Sequence, residues 1–154
     1  MTPTRKDANA QAAVRMDLPS ARLDGDTFTL VLPFPTPKQA KALGQNGRCH
    51  WRAKAAATKA MRQTSDLLTR DALPRTHKPW TRATLTYRIY WPDLRVRDFE
   101  NYRAMFKPAL DGITDGGLIV EDNWGVLVPG AVPVCELDRE NPRVELIVTR
   151  VREA

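Results

Sequence analysis

Six carboxylates lie close together in a chain that is otherwise basic. They are Asp98, Glu100, Asp111, Asp115, Glu121 and Asp122, whereas the whole chain carries a formal net charge of +6 at pH 7. Carboxylate oxygens are the ligands that hard divalent cations prefer, and a basic surface attracts a phosphate polyanion. This combination predicts a metal ion held by carboxylates beside a phosphodiester, which is the chemistry of a metal-dependent nuclease.

The first of these carboxylates lie at the start of a predicted helix. Apolar residues from Phe99 to Ile113 recur at helical spacing, and Asp98 is in the position of an N-cap. The opposite face carries four charged residues: Glu100, Arg103, Lys107 and Asp111. Pro108 predicts a kink or a break. Three glycines are expected to end the helix: Gly112, Gly116 and Gly117. An extended run at Leu118–Val120 would then bring Asp122 back toward the first helical turn.

These residues resemble the RusA family of Holliday junction resolvases, including its phage-borne members. The acidic part of the resemblance consists of Asp98-Phe99-Glu100-Asn101, Lys107-Pro108-Ala109-Leu110-Asp111, Gly117 and Glu121-Asp122. The upstream part is the basic segment Asn46-Gly47-Arg48-Cys49-His50-Trp51-Arg52-Ala53-Lys54. Together they cover roughly residues 45–125, and neither motif would be specific alone. Two positions depart from the pattern, because Glu100 replaces the usual Asp and Glu121 replaces the first Asp that many members have in the doublet.

The resemblance implies a Mg²⁺-dependent endodeoxyribonuclease, with Mn²⁺ as an alternative ion and no small-molecule cofactor. The implied metal ligands are Asp98, Glu100 and Asp122, and Lys107 joins them in the catalytic set as a transition-state cation. The implied supporting residues behind them are Asn101, Asp111 and Glu121. The implied substrate is branched DNA, a four-way junction that a two-fold homodimer resolves by paired symmetric nicks in recombination or repair. A phage or prophage origin and a cytoplasmic location are expected on the same grounds.

Basic residues beside both motifs are predicted to contact DNA. The upstream set is Arg48, His50, Trp51, Arg52, Lys54 and Lys59, and the set beside the acidic motif is Arg95 and Arg97. Lysine and arginine neutralise phosphates, and an exposed tryptophan offers a stacking surface for a base.

Each of these assignments has a simpler alternative in ordinary helix chemistry. Asp98 and Glu100 are favourable at a helix start for capping and dipole reasons alone. Lys107 and Asp111 have the spacing of an exposed helical ion pair. The basic residues would equally form a solvated helix face, and His50 would equally be a structural residue. The alternative function is therefore a non-catalytic protein that binds DNA junctions and has lost cleavage, with Glu100 as the mark of that loss.

Composition places the chain among globular proteins of one domain. It has 154 residues, of which 42% are hydrophobic and 27% charged. No apolar run approaches the roughly 20 residues that span a bilayer, and no apolar leader is present, so neither a membrane protein nor a secreted one is expected. Cys49 and Cys135 are isolated and are predicted to be free thiols.

The predicted fold is α+β, with a small mixed β-sheet packed against two main helices. Residues 1–20 are predicted to be a flexible segment, and residues 21–154 the RusA-like endonuclease domain. The predicted strands are Thr27–Phe34, Thr81–Trp91, Val126–Val128, Val132–Cys135 and Arg143–Val151. His50–Leu73 is predicted to be a long helix, and residues 38–47 a loop rich in Gly and Lys.

Overall fold

Strands and helices build one mixed sheet with helices packed against it. The computed structural model describes residues 19–44 and 49–152. In chain order the elements are β1 (Ser20–Asp24), β2 (Thr27–Pro33), α1 (Pro37–Leu43), α2 (Trp51–Ala72), β3 (Ala83–Trp91), α3 (Phe99–Met105), α4 (Lys107–Asp115), β4 (Leu127–Pro129), β5 (Val134–Leu137) and β6 (Arg143–Arg150). The predicted α+β class with a mixed sheet is confirmed, and the five predicted strands lie within two residues of their expected bounds.

The sheet has the order β1-β2-β6-β3-β4, so β6 lies at its centre although it follows every other strand in sequence. β6 is antiparallel to both β2 and β3. β3 is parallel to the two short strands on its other side, pairing with β4 through its first residues and with β5 through its last ones. Both parallel and antiparallel ladders therefore meet on β3.

Every second side chain of the three long strands, β2, β3 and β6, points into the core. The register places Leu30 and Tyr87 on either side of Leu146, and the same alternation continues along all three strands. The core residues from this face are fully or almost fully buried: Phe28, Leu30, Leu32, Ala83, Tyr87, Ile89, Val144, Leu146 and Val148. The helices complete this core with Met105, Phe106, Ala109, Leu110 and Ile113.

Two elements near the beginning of the described chain were not predicted. β1 pairs with β2 through a tight hairpin in which Gly25 has a φ of +59°, a conformation that favours glycine. The prediction of a loop over residues 38–47 is wrong, because Pro37–Leu43 forms a helix. Its start is a capping box between Thr36 and Gln39, with a proline in the first turn. The predicted flexible segment, residues 1–20, lies almost entirely outside the described residues.

The predicted acidic helix is broken into two helices, as Pro108 indicated. Phe106 lies between them with a non-helical backbone (φ −96°, ψ 7°), and Pro108 is in the first turn of α4. A proline is tolerated there because the first amides of a helix have no helical acceptor, whereas in mid-helix its ring would clash with the preceding turn. The break makes Lys107 the first residue of a new helix.

Gly112 does not end the helix, contrary to the prediction, because it lies inside α4 at the contact with α2. A Cβ at Gly112 would lie only 2.4 Å from the carbonyl oxygen of Arg62 and 2.9 Å from the amide nitrogen of Asp66. One turn later, a Cβ at Gly116 would lie 2.6 Å from the Cβ of Thr69. The two helices therefore advance in the same direction, and glycine at both positions lets their backbones approach closely.

No helix in the described ranges has the length and hydropathy needed to cross a bilayer. The thiols of Cys49 and Cys135 are both free, as predicted.

Candidate catalytic groove

An open groove of about 750 Å³ lies between the sheet edge and the α3–α4 pair. Three separate segments bring charged side chains to it: α3 contributes Glu100 and Arg103, α4 contributes Lys107, and the loop after Leu118–Val120 contributes Asp122. The remaining wall is apolar and aromatic: Leu85, Tyr87, Phe99, Ala104, Leu110, Trp124, Leu127, Val128, Pro129, Ala131 and Pro133.

Asp122 reaches the groove because residues 118–120 return along the sheet. Ile119 forms a parallel bridge with Trp80, and the Trp80 amide donates to the carbonyl of Leu118 at 2.8 Å. The amide of Val120 donates to the Trp80 carbonyl at 3.0 Å. The chain therefore does return, but it delivers Asp122 beside Lys107, at the start of α4, and not beside the first turn at Asp98 that was predicted. The reason is that the break at Phe106 starts a second helix at Lys107.

Lys107 holds a position between two carboxylates. Its ammonium donates to Asp111 at 2.9 Å and also hydrogen-bonds Asp122. Partial burial acts to lower the pKa of Lys107, but the hydrogen bonds to Asp122 and Asp111 outweigh it and raise that pKa. The hydrogen bond from Lys107 in turn lowers the pKa of Asp122. Both groups are therefore charged at neutral pH, and a positive charge is already stabilised at this place in the groove.

Glu100 and Arg103 form a second, looser pair at the groove margin. Their closest side-chain atoms are 3.5 Å apart, and both side chains are more than half exposed. An exposed pair of this kind contributes at most about 1 kcal/mol to stability. Glu100 is therefore free to exchange Arg103 for another cation at little cost.

Asp98 caps α3 by accepting a hydrogen bond from the amide of Glu100 at 3.0 Å. It does not line the groove, so the structure brings Glu100 and Asp122 together and leaves the third predicted ligand at the helix start. A carboxylate has about four lone-pair directions, so one capping bond leaves Asp98 with oxygen lone pairs to offer.

The donor chemistry fits Mg²⁺ in the manner usual for phosphate-processing sites. Mg²⁺ is commonly bound by one or two carboxylates together with water and substrate phosphates, and rarely by a cage made of protein alone. Glu100 and Asp122 present such carboxylates to one groove. Within the described ranges no group of three or more Asp, Glu, His or Cys side chains is placed to hold a metal ion. A cation at Glu100 and Asp122 would therefore need water and a substrate phosphate as further ligands.

The three predicted supporting residues have different surroundings. Asp111 pairs with Lys107. Glu121 accepts a hydrogen bond from the side chain of Asn123. Asn101 lies against the end of α1, where its amide oxygen would be 3.2 Å from a Cβ at Gly44. Asp111 thus contacts the charged margin of the groove through Lys107.

The start of α2 presents an exposed aromatic and basic surface. His50 caps the helix by accepting from the amide of Arg52 at 3.2 Å, which is the structural role left open for it in the sequence. The rings of His50 and Trp51 are stacked at 5.7 Å, and the Arg52 guanidinium lies 5.3 Å from the Trp51 ring. Lys54 and Lys59 are exposed on the same helix. Arg48 lies outside the described residues.

This surface is at the same end of the molecule as Lys107. α2 and α4 run in the same direction where they pack against each other at Gly112 and Gly116. Trp51 precedes Arg62 by eleven positions, or about 16 Å along the α2 axis at 1.5 Å per residue. The basic end of α2 therefore extends beyond the beginning of α4.

Arg95 and Arg97 differ sharply in exposure. The Arg95 side chain is 82% exposed, whereas that of Arg97 is 11% exposed and forms a 2.7 Å ion pair with Asp93. The Arg97 guanidinium also lies 5.5 Å from the Phe34 ring and 5.3 Å from the Trp91 ring. Hydrogen bonds from Arg97 and from the Arg95 backbone lower the pKa of Asp93 to about 2. Arg97 thus fixes the loop before α3, and we leave it out of the proposed DNA surface.

Two groove residues were given no role in the sequence analysis. Arg103 falls on the polar helix face with Glu100 and Lys107, which was visible from spacing. Trp124 follows the acidic doublet by two residues and is 78% exposed. An aromatic residue in a polar loop beside carboxylates was the available signal for it.

Comparison with known proteins gives no match, since neither a family model nor a curated protein matches this sequence.

Proposed function

We propose that this protein is a Mg²⁺-dependent, structure-specific endodeoxyribonuclease that acts on four-way DNA junctions. The observation that carries the proposal is the convergence of Glu100, Lys107 and Asp122, from three segments of the chain, on one open groove. A groove that joins two carboxylates to a protonated lysine offers ligands for a hard cation and a donor for a phosphate oxygen.

Each residue has a defined task in this proposal. Glu100 and Asp122 would hold Mg²⁺ in the groove, and Asp98 would join them from the start of α3 through the oxygen lone pairs that its capping bond leaves open. When bound, the ion would supply water activation and would stabilise charge on a phosphoryl group. Lys107 is protonated and donates to a phosphate oxygen as negative charge develops there. Asp111 retains its contact with Lys107 when Asp122 turns to the cation, so the ammonium stays in place. Arg103, once released by Glu100, is a second donor for the DNA backbone.

Resolution of a four-way junction requires two symmetric cuts, so we further propose a two-fold homodimer with one groove per subunit. The test uses a synthetic labelled junction incubated in EDTA, in Mg²⁺ and in Mn²⁺. Paired nicks that DNA ligase reseals directly are expected with either metal, because the products carry 5′-phosphates. Light scattering of the protein alone and with the junction measures the dimer.

A non-catalytic junction-binding protein is the second candidate. Ion pairs Lys107–Asp122 and Glu100–Arg103 already neutralise the groove carboxylates, so the fold does not need a metal there. A shifted junction that remains intact in EDTA, Mg²⁺ and Mn²⁺ would favour this candidate over the nuclease.

Replacing Arg52, Lys54 and Lys59 together with Ala is expected to weaken junction binding and to flatten its salt dependence. Each lost phosphate contact lowers the slope of log K against log salt by about 0.9 on B-DNA, so loss of all three lowers it by about 2.7. Affinities measured across a series of salt concentrations give this slope. The same replacements at Arg75, Lys78 and Arg139 provide the charge-matched control, and an unchanged slope in the α2 variant would place the DNA elsewhere.

Shortening Glu100 to Asp is expected to lower cleavage in Mg²⁺ by roughly ten- to a hundredfold, the scale on which small misplacements of a catalytic group act. The reason is that Glu100 reaches the groove from an exposed helical turn, and one fewer methylene withdraws its oxygens from Asp122. Mn²⁺ should restore part of the rate, because its coordination is less demanding. The isosteric Glu100→Gln variant should be inactive with both metals. A clear gain in Glu100→Asp would instead show that the native Glu misplaces the ion.

A further inference from the structure

The apolar side of the groove has no task in phosphate chemistry, yet it forms most of the wall. Tyr87 and Phe99 lie on it with an edge-to-face contact at 6.1 Å between ring centroids. Pro129 and Pro133 close the side opposite the helices. The volume of about 750 Å³ falls within the range of pockets that hold small ligands, so the groove has room for more than a phosphate.

Trp124 is the exposed aromatic residue of this apolar wall. It lies in a turn in which the Asn123 side chain accepts from the Gly125 amide at 2.9 Å, and the Asn123 carbonyl accepts from the Val126 and Leu127 amides. The turn thus fixes an exposed indole two residues after Asp122. A flat aromatic surface therefore lies beside the group proposed to receive the scissile phosphate.

We propose that the groove takes up one nucleobase that is extruded from its pair at the branch point of the DNA and stacks it on Trp124. This inference rests on the proposed nuclease function and adds the substrate feature that the groove recognises. The occupant follows from complementarity, because a nucleotide has an anionic phosphate for Lys107 and Arg103 and an apolar face for Trp124. A tryptophan ring stacks on any base, so this contact selects a base that is easily extruded and does not select a sequence.

A base inside a continuous duplex cannot reach such a wall, because it is stacked on both sides and paired. Extruding it costs unstacking and unpairing free energy. The cost is smaller at a branch point, where the bases are still paired but the stacking of successive base pairs is interrupted. Selectivity for branched DNA would then arise partly at the groove itself. The positively charged end of α2 would supply affinity for any DNA, and Trp124 would supply preference for the branch.

The test is a thermodynamic cycle between Trp124 and the base. Junctions with an abasic site at successive nucleotides around the branch point are bound in EDTA by the wild type and by Trp124→Ala. At one position the abasic site should weaken wild-type binding by roughly 5- to 150-fold, the scale of one base–aromatic stack. At that position Trp124→Ala should show no further loss, because the stack is already absent.

Two variants act as controls. Trp124→Phe should retain the position-specific loss, because phenylalanine also stacks. Leu67→Ala removes another apolar side chain, 66% exposed on α2 and outside the groove, and should behave as the wild type does at every position. Trp124 is exposed, so all three variants are expected to match the wild type in thermal unfolding.

A second readout uses 5-iododeoxyuridine at the position that the cycle identifies. Long-wavelength irradiation should cross-link that base to the peptide containing Trp124, and the cross-link should be absent from the fully paired duplex. Cleavage of the junction without any coupled position would overturn the base pocket while leaving the nuclease. Coupling without cleavage would overturn the nuclease and retain the pocket. If Trp124→Ala instead weakens dimerisation and shows no coupling at any nucleotide position, the groove binds a second copy of the chain and not a base.

Discussion

The Asp122→Asn variant is expected to lose junction cleavage by at least a hundredfold while it binds the junction as tightly as the wild type. Replacing a group that only supports a metal ligand already costs about 10- to 100-fold in activity, so a direct ligand should cost at least as much. The neutral amide is a poor ligand for Mg²⁺, and it adds no negative charge that would repel DNA. Binding in EDTA and single-turnover cleavage in Mg²⁺ measure the two properties separately.

The structure allows this result to be distinguished from a folding defect. Asp122 contacts Lys107 on a partly exposed surface, and such pairs contribute about 1 kcal/mol or less to stability. Lys107 also keeps its contact with Asp111. Asp122→Asn should therefore unfold close to the wild-type temperature. Glu140→Gln removes one negative charge from an exposed acidic side chain away from the groove and should cleave normally. Near-normal cleavage by Asp122→Asn would remove this residue from the proposed ligand set.

Replacing Gly112 with Ala is expected to destabilise the fold by roughly 2 kcal/mol or more. Helix propensity alone would predict the opposite sign, because alanine is favoured over glycine within a helix by about 1 kcal/mol. The new methyl group, however, would lie 2.4 Å from the Arg62 carbonyl oxygen and 2.6 Å from the Ser65 Cβ. These are backbone and near-backbone atoms that cannot rotate away, and overpacking of this kind costs about 1–3 kcal/mol or more.

Thermal unfolding followed by circular dichroism measures the effect. A loss of this size corresponds to a fall of roughly 4–8 °C in the unfolding midpoint for a chain of this length. Gly125→Ala is the control, because its added methyl would come within 3.2 Å only of the Asn123 side-chain oxygen. A Gly112→Ala protein more stable than the wild type would mean that α2 and α4 are not in close contact there.

Local sequence patterns predicted those helices and strands in which neighbouring residues all favour the same secondary structure. β3 and β6 alternate apolar and polar residues, and α2 has a long run of helix-forming residues before Pro74. All three elements were expected within two residues of their bounds. The break at Pro108 follows from the covalent structure of proline alone. The return of Asp122 to the helix pair required only a short extended run after a glycine turn. These predictions needed no knowledge of distant partners.

The sequence was less informative where the structure of a residue depends on a contact with residues far away in sequence, or where the element is short. Gly112 resembles a helix terminator until α2 is placed against it, 46 to 50 residues earlier. The surroundings of Arg97 were likewise not foreseen, because its guanidinium lies beside the Phe34 and Trp91 rings, which are distant in sequence. The helix at Pro37–Leu43 had a capping box, but it spans only seven residues and its lysines suggested a loop. Trp124 was passed over because its relation to the groove depends on the turn at Asn123.

The central position of β6 has a consequence for how the chain reaches its folded state. β2 and β3 do not pair with each other, and each pairs with β6, which is more than a hundred residues after β2. During synthesis both strands therefore carry unsatisfied edges until β6 emerges, and these edges are able to pair with other chains. Contacts between residues so far apart in sequence also slow folding, because the chain loses the entropy of loop closure before the strands gain the free energy of pairing. We therefore expect the nascent protein to aggregate more readily than a protein of the same size whose strands pair in sequence order, and to fold in higher yield with chaperones or at low expression temperature.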